Sequence, residues 1–340
     1  MLIKTVKIQG LRALQNVEHT LQADEGLGER GAARPWDAVC VRGVNGAGKT
    51  TWLAAVAELW QWFRRCSKAR AWRPPATDLL AGADLVAIEL VELPGPRPTM
   101  WMAWGSSAHL RMLKDQVGDA LPLEFHAGNP VWSAGVLEWW DEQQTRAESG
   151  LPVTVPNVVY IEAENKWVPP VEADELVSPL PGPAWAAVAR YLPQSRGPSH
   201  LEGLLGTLKI IDTPKFEELQ GHISALFPGL TLHGFSEGRR PLFKTVASDQ
   251  LLTVDRLSAG ERSALINVVM LSRWMSVGGL VLVDEPELHQ HISLMRGSVA
   301  TLEHLTKQRR GQLIVASHAP DVWEHFWARS AFVDLLGRGE

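Results

Sequence analysis

The chain has 340 residues, 45% of them hydrophobic and 21% charged, with a formal net charge of −5. That composition is globular and long enough for one large domain or two ordinary ones, which excludes disorder and collagen-like repeats. Cys40 and Cys66 are too few for a disulfide scaffold or a thiolate metal site, and the negative balance excludes nucleic-acid binding through overall charge while leaving room for a local basic patch.

Residues 2–9 alternate apolar and polar, turn at Gly10 and meet a second alternating run around Val17–Leu21, which predicts an antiparallel pair. Met1–Ile8 reads as a strand and not as the apolar core of a signal peptide. No stretch approaches the roughly 18 apolar residues of a membrane span, so a soluble, cytoplasmic chain without a membrane partner is expected. Residues 24–35 are rich in Gly, Glu and Ala and read as a loop. Ala38–Val41 is a short buried strand feeding a glycine-rich turn, and the helix after it places Trp52, Leu53, Val56, Leu59, Trp60 and Phe63 on one face.

Leu85–Glu92 and Thr99–Trp104 predict two strands about a Pro/Gly turn. Residues 105–200 carry little pattern: a Trp-rich segment at Val131–Trp140, an apolar run at Val158–Ile161, and a Pro-rich stretch over 169–198. Most of 165–200 reads as loop, with a short helix near Ala184–Tyr191. The 15 tryptophans are assigned to composition bias and core packing. Pro214–Phe227 is helical by spacing, stops at Pro228-Gly229, and short strands follow up to Val254. Glu261–Met275 is a helix, Leu280–Val283 a buried strand, Leu288 to Leu302 a helix face, Leu313–Val315 a further buried strand, and Ala331–Leu336 the last core strand. Strands alternating with helices predict an α/β fold with a mostly parallel sheet covered on both faces. There is no internal repeat and no sustained heptad run.

Four motifs carry chemistry. Gly43-Val44-Asn45-Gly46-Ala47-Gly48-Lys49-Thr50-Thr51 fits G-x-x-x-x-G-K-[ST] between a strand and a helix. Glycines let main-chain N–H groups cradle phosphate oxygens, the helix N-terminus adds positive charge, Lys49 reaches the β- and γ-phosphates, and Thr50 offers a hydroxyl to Mg²⁺. Leu280–Val283 ends in Asp284-Glu285-Pro286, two acids at the carboxyl edge of a parallel strand. Asp284 suits a Mg²⁺ shell, and Glu285 suits orienting or deprotonating an attacking water. Leu257-Ser258-Ala259-Gly260-Glu261-Arg262 opens a helix about 26 residues earlier and reads as a second anion site. Ala316-Ser317-His318-Ala319-Pro320 puts His318 on the same sheet edge.

In this order the motifs resemble the ATP-binding-cassette (ABC) class of P-loop ATPase. Ile3–Arg12 is similar to the opening strand of its RecF, SMC and OLD-like branch, where an aromatic usually stands at Leu11. Asp284–His291 resembles that branch's extended Walker B motif, with Ile292 in place of a proline, which also accounts for His289 and His291 without a metal. Phe216–Leu232 resembles the segment ahead of the signature motif in OLD-like ATPases. The likeness covers about 1–63 and 206–325.

The resemblance implies an ABC-type head with an N-terminal antiparallel β lobe and a mixed insertion, divided as 1–63, 64–205 and 206–340. It implies ATP and Mg²⁺ as cofactors. Asn45, Gly46, Ala47, Gly48, Lys49, Thr50 and Thr51 would bind phosphate, Thr50 and Asp284 the metal. Glu285 would be the catalytic carboxylate and His318 would contact the γ-phosphate. Ser258, Gly260 and Glu261 would act in trans, across a homodimer that sandwiches two ATPs. The γ-phosphate-sensing loop would follow Val158–Ile161, with Glu164 or Asn165 in place of its glutamine.

No nuclease domain is expected after the last strand. The work would then pass to a separate effector or to double-stranded DNA, in a DNA-related or anti-phage-defence process. Alternatives are a RecF-type DNA-repair clamp, a sensor that binds ATP and barely hydrolyses it, and the nucleotide-binding subunit of a transporter. The transporter is disfavoured because about 214 residues separate Gly43 from Leu257, roughly twice what a transporter cassette needs. Arg64, Arg65, Lys68, Arg70 and Arg73 form a basic cluster that would contact nucleic-acid phosphates or an acidic partner, or, as the favoured reading, be a solvated face.

Overall fold

The computed structural model describes residues 1–21, 37–151, 153–169, 184–193, 200–237, 240–246, 249–327 and 331–335. The expected loop at 24–35 and most of the Pro-rich stretch lie outside the described residues.

In chain order the elements are β1 (Leu2–Leu11), β2 (Leu14–Thr20), β3 (Ala38–Arg42), α1 (Lys49–Ala69), α2 (Asp78–Ala81), β4 (Leu85–Val91), β5 (Met100–Gly105) and α3 (Ser107–Val117). A hairpin of β6 (Leu123–His126) and β7 (Asn129–Trp132) leads to α4 (Ala134–Glu148), β8 (Val158–Ile161) and β9 (Val188–Arg190). The remainder is α5 (Leu201–Ile211), α6 (Thr213–Leu226), β10 (Leu230–Phe235), β11 (Pro241–Thr245), β12 (Leu251–Leu252), α7 (Ala259–Trp274), β13 (Leu280–Asp284), α8 (Ile292–Gln308), β14 (Gln312–Ser317), α9 (Pro320–Trp327) and β15 (Phe332–Asp334).

The centre is a six-stranded sheet in the order β15-β3-β14-β13-β8-β9, and every pairing in it is parallel. Its strands are apolar on both faces, as a parallel sheet covered on both sides requires. Val39, Val41, Leu282, Ile314 and Tyr160 point into one core; Cys40, Val283, Val315 and Ile161 point into the other. The first core lies under α1 and an antiparallel sheet in the order β2-β1-β4-β5. The second is closed by α5 to α9. Gln312 joins the two sheets, because its buried amide accepts from Ile3 N at 2.8 Å and donates to Ile3 O at 3.2 Å.

Most of the expected elements appear within a residue or two. The helix expected near Ala184–Tyr191 is instead the edge strand β9, paired with β8 at Val158↔Val188. Trp185, Ala187, Ala189 and Tyr191 are buried in alternation, so the period is two and sheet pairing overrides the helix propensity of alanine. The sparsely patterned region holds α3 and α4, and α5 follows it directly; periodicity left all three unassigned. Leu288 lies outside a helix: α8 begins at Ile292, capped by His291, whose Nδ1 accepts from Ser293 N. Trp60, Trp62 and Phe63 of α1 pack against Trp132 and Trp140 at centroid distances of 5.1–6.0 Å, so these tryptophans are core.

The basic cluster is not one surface. Arg64 is buried and pairs with Asp141 at 3.3 Å and Glu148 at 2.8 Å, tying α1 to α4. Arg65, Lys68, Arg70 and Arg73 are exposed.

Candidate functional site

The glycine-rich turn joins β3 to α1. Gly46 and Gly48 sit at φ 81° and 95°, where only glycine is unstrained. Gly48 is the N-cap of α1 and no side chain caps the helix, so its first N–H groups point into the turn with the positive end of the helix dipole behind them. Asn45 and Gly46 are exposed at the tip, with Ala47 and Thr51 half-buried below. Lys49 is buried, and its Nζ donates to Gly43 O at 2.9 Å and Val44 O at 3.0 Å, which folds the loop around it.

Parallel pairing brings the end of β13 beside the exit of β3, through β14. Thr50 Oγ1 donates to Asp284 Oδ2 at 2.7 Å. Asp284 is 1% exposed. Its other oxygen, Oδ1, is buried without a hydrogen-bond partner. Burial raises its pKa above the ordinary carboxylate value, with the Thr50 hydroxyl opposing. An uncapped helix N-terminus beside a hydroxyl and a buried, half-satisfied carboxylate suits a phosphate group with a divalent cation.

Glu285 follows in a left-handed conformation, φ 44°, unusual for a side chain of its size and typical of residues held at functional sites. Its N–H donates to Ala316 O at 2.8 Å, which pins it to β14. His318 Nδ1 stands 3.2 Å from Glu285 Oε1 and 3.5 Å from Glu287 Oε1. Ser317 Oγ donates to Glu287 Oε1 at 2.6 Å, so Glu287 braces the loop that carries His318. Glu287 Oε2 is buried without a partner.

Ser258, Gly260 and Glu261 open α7. Ser258 is exposed and forms a capping box: its Oγ accepts from Glu261 N at 3.2 Å, and Glu261 Oε2 accepts from Ser258 N at 2.7 Å. Their neighbours are the turn at His289–Gln290, since Gly260 abuts His289 and Gln290 Nε2 donates to Ser263 Oγ at 3.4 Å. The structure thus brings residues 43–51, 284–285 and 318 together and places the α7 start beside the turn behind them.

One residue of the site went unread in the sequence. After β8, Asn165 turns back to Glu162, and it is Lys166 that reaches the Asp284–Glu285 segment. Its Nζ donates to Asp284 O at 2.5 Å and Glu285 O at 2.6 Å, and the residue is 3% exposed. Burial depresses its pKa to about 8, against the pull of Glu287, Asp284 and Glu285. No local pattern marks this lysine, because its partners lie 118 and 119 positions away.

No family model matches the sequence. One curated relative, protein ea59 of Escherichia phage lambda, is 37% identical over 67 residues, which is 20% of this chain and 13% of that protein. Among solved structures, an SMC head bound to the C-terminal winged-helix domain of ScpA aligns over 98% of this chain and 94% of its own, with a TM-score of 0.50 and 11% identity. The SMC head from Thermotoga maritima aligns at 0.44 with 14% identity over 95% of this chain and 92% of its own. An SMC head with an extended coiled coil, bound to a ScpA domain from Pyrococcus furiosus, aligns at 0.48 with 10% identity over 98% and 93%. Among the described residues no helix is long and apolar enough to cross a membrane. The chain has the fold of an SMC head domain, an α/β architecture with a parallel central sheet and a separate antiparallel sheet.

Proposed function

We propose that the chain is an ABC-type ATPase head that binds and hydrolyses ATP and pairs head to tail with a second copy around two nucleotides. The observation that carries this reading is the 2.7 Å contact between Thr50 and Asp284, 234 positions apart, below an uncapped helix N-terminus. On this reading the main chain of Asn45–Gly48 and the side chain of Lys49 hold the triphosphate, with Thr51 beside them. Thr50 and Asp284 hold Mg²⁺, which when bound neutralises charge on the β- and γ-phosphates. Glu285 orients the attacking water and takes its proton. His318, whose Nδ1 stands 3.2 Å from that carboxylate, contacts the γ-phosphate. Ser258 and Gly260 serve the nucleotide of the other copy, with Glu261 holding Ser258 in place through the capping box.

The same proposal divides the chain into 1–63, an insertion-bearing 64–205, and 206–340 with the signature and switch elements. Hydrolysis releases the dimer and drives a separate effector protein in a DNA-related or defence process. The SMC head that carries a ScpA domain is in keeping with a protein partner. Direct binding of double-stranded DNA would use Arg65, Lys68, Arg70 and Arg73 and not the buried Arg64.

The test is ATP turnover of the wild type beside Glu285→Gln, with and without double-stranded DNA, and mass by light scattering. Slow wild-type turnover, absent in Glu285→Gln together with an ATP-dependent dimer in that variant, is expected. Stimulation by DNA that is lost in Arg65→Glu/Lys68→Glu assigns the basic residues to DNA, and indifference to DNA assigns the output to a protein. Undiminished turnover in Glu285→Gln overturns the mechanism.

A further inference from the structure

The carbonyls of Asp284 and Glu285 lie where the central sheet runs out on the β8 side. Pairing of β13 with β8 ends at Val283↔Ile161, while pairing with β14 continues to Asp284↔Ala316. Beyond that point the side chain of Lys166 replaces the ladder, donating to both carbonyl oxygens. Glu285 O also accepts from Leu288 N at 3.1 Å, so Lys166 closes the turn that holds Glu285 at φ 44°. The other nearby lysine, Lys49, is committed to Gly43 and Val44. The loop bearing Lys166 is itself fixed: Arg190 bonds Glu162 and Glu58, and Asn165 bonds Glu162. Burying an ammonium is costly unless its donors are satisfied. Here two of the three are spent on the main chain of the two acids that begin the turn.

We propose that Lys166 is a positioning residue: it locks the main chain of Asp284 and Glu285 so that the Glu285 carboxylate is presented beside His318. The role in hydrolysis rests on the function proposed above, whereas the lock is a property of the nucleotide-free chain. It also makes the segment after β8, in the middle of the chain, a structural determinant of the acidic turn. A flexible side chain would leave Glu285 free to relax from its left-handed conformation and swing its carboxylate away.

The experiment compares wild type, Lys166→Met and Lys166→Arg in three measurements. Amide hydrogen exchange over 284–290 is followed without nucleotide, MgATP affinity is measured with a fluorescent analogue, and steady-state turnover is recorded. Lys166→Met is expected to speed exchange at Leu288 about tenfold or more relative to the rest of the sheet. It should lower kcat by about 30-fold while MgATP affinity stays within about threefold. Lys166→Arg, which can still reach both carbonyls, should recover most of the protection and turnover. Wild-type exchange and kcat in Lys166→Met would overturn the proposal. So would a loss of MgATP affinity matching the loss of turnover, which would make Lys166 a nucleotide ligand. If the wild type does not hydrolyse ATP, the ATPase reading fails, and exchange alone decides the lock. If Lys166→Met does not fold, Lys166→Gln takes its place: faster exchange with lowered kcat supports the lock, and wild-type values overturn it.

Discussion

The α-carbon of Gly260 lies so close to the main chain of His289 that a Cβ there would stand 2.6 Å from the His289 carbonyl oxygen and 3.3 Å from the Gln290 α-carbon. The start of α7 is therefore seated on the turn that follows Glu285 within a single chain. His289 is itself left-handed, φ 63°, so the contact joins two backbone segments that cannot give way cheaply. The α7 start and the turn after Glu285 are thus in direct main-chain contact at Gly260.

Gly260→Ala should therefore destabilise the protein by about 1–3 kcal/mol and reduce turnover, because a methyl group overlaps main-chain atoms and not a movable side chain. Urea denaturation gives the first quantity and phosphate release the second. Wild-type stability in this variant would show that the α7 start can slide from the turn.

Asp284→Asn should separate stability from activity. The buried, half-satisfied carboxylate costs stability in the absence of a cation, and an amide keeps an oxygen for Thr50. The nucleotide-free variant is expected to gain about 1 kcal/mol, or about 2 °C in Tm, and to lose turnover. A lower Tm would mean that attraction between Asp284 and buried Lys166 outweighs the cost of burial.

Gln312 offers a test of how the two sheets are joined. Gln312→Ala leaves Ile3 N–H and C=O without these partners in a buried place, at a cost of about 2–4 kcal/mol including the lost side-chain volume. Gln312→Met, which keeps most of the volume and loses both hydrogen bonds, should cost about 1–3 kcal/mol. Wild-type stability in that variant would assign the effect of Gln312→Ala to packing alone.

The buried thiols make a pH prediction. Burial pushes the Cys66 thiol up to about 11 and Cys40 higher still. As pH rises from about 9 to about 11, the unfolded chain gives up the Cys66 proton and the native one keeps it, so stability falls across that window by about 2 kcal/mol from this residue. Tyr160 and Tyr191, also raised by burial, act in the same direction. The urea midpoint should therefore drop less in Cys66→Ala than in the wild type between pH of about 8 and about 10.5. Equal drops would mean that the thiol is solvated in the native state. Both thiols should resist alkylation until the chain unfolds, as neither is exposed.

What the sequence by itself determined was set by short-range rules. A strand end, a glycine turn and a helix start are encoded within about ten residues, so local pattern alone puts 43–51, 280–286 and 313–318 on the sheet edge. The capping box at Ser258 and Glu261 is equally local. What the tertiary structure decided depends on groups far apart in the chain. Alanine-rich 185–191 became an edge strand because β8 offered it a ladder. Arg64, adjacent to other basic residues in sequence, was drawn into the interior by Asp141 and Glu148. Lys166 carries no local signature, since it answers to carbonyls 118 and 119 positions away, and Gly260, legible as part of a helix start, answers also to the backbone of the His289 turn, which no local pattern shows. Local spacing can place a donor at a strand end. Only burial against distant main-chain atoms decides which charged side chain must be satisfied there and which residue can have no side chain at all.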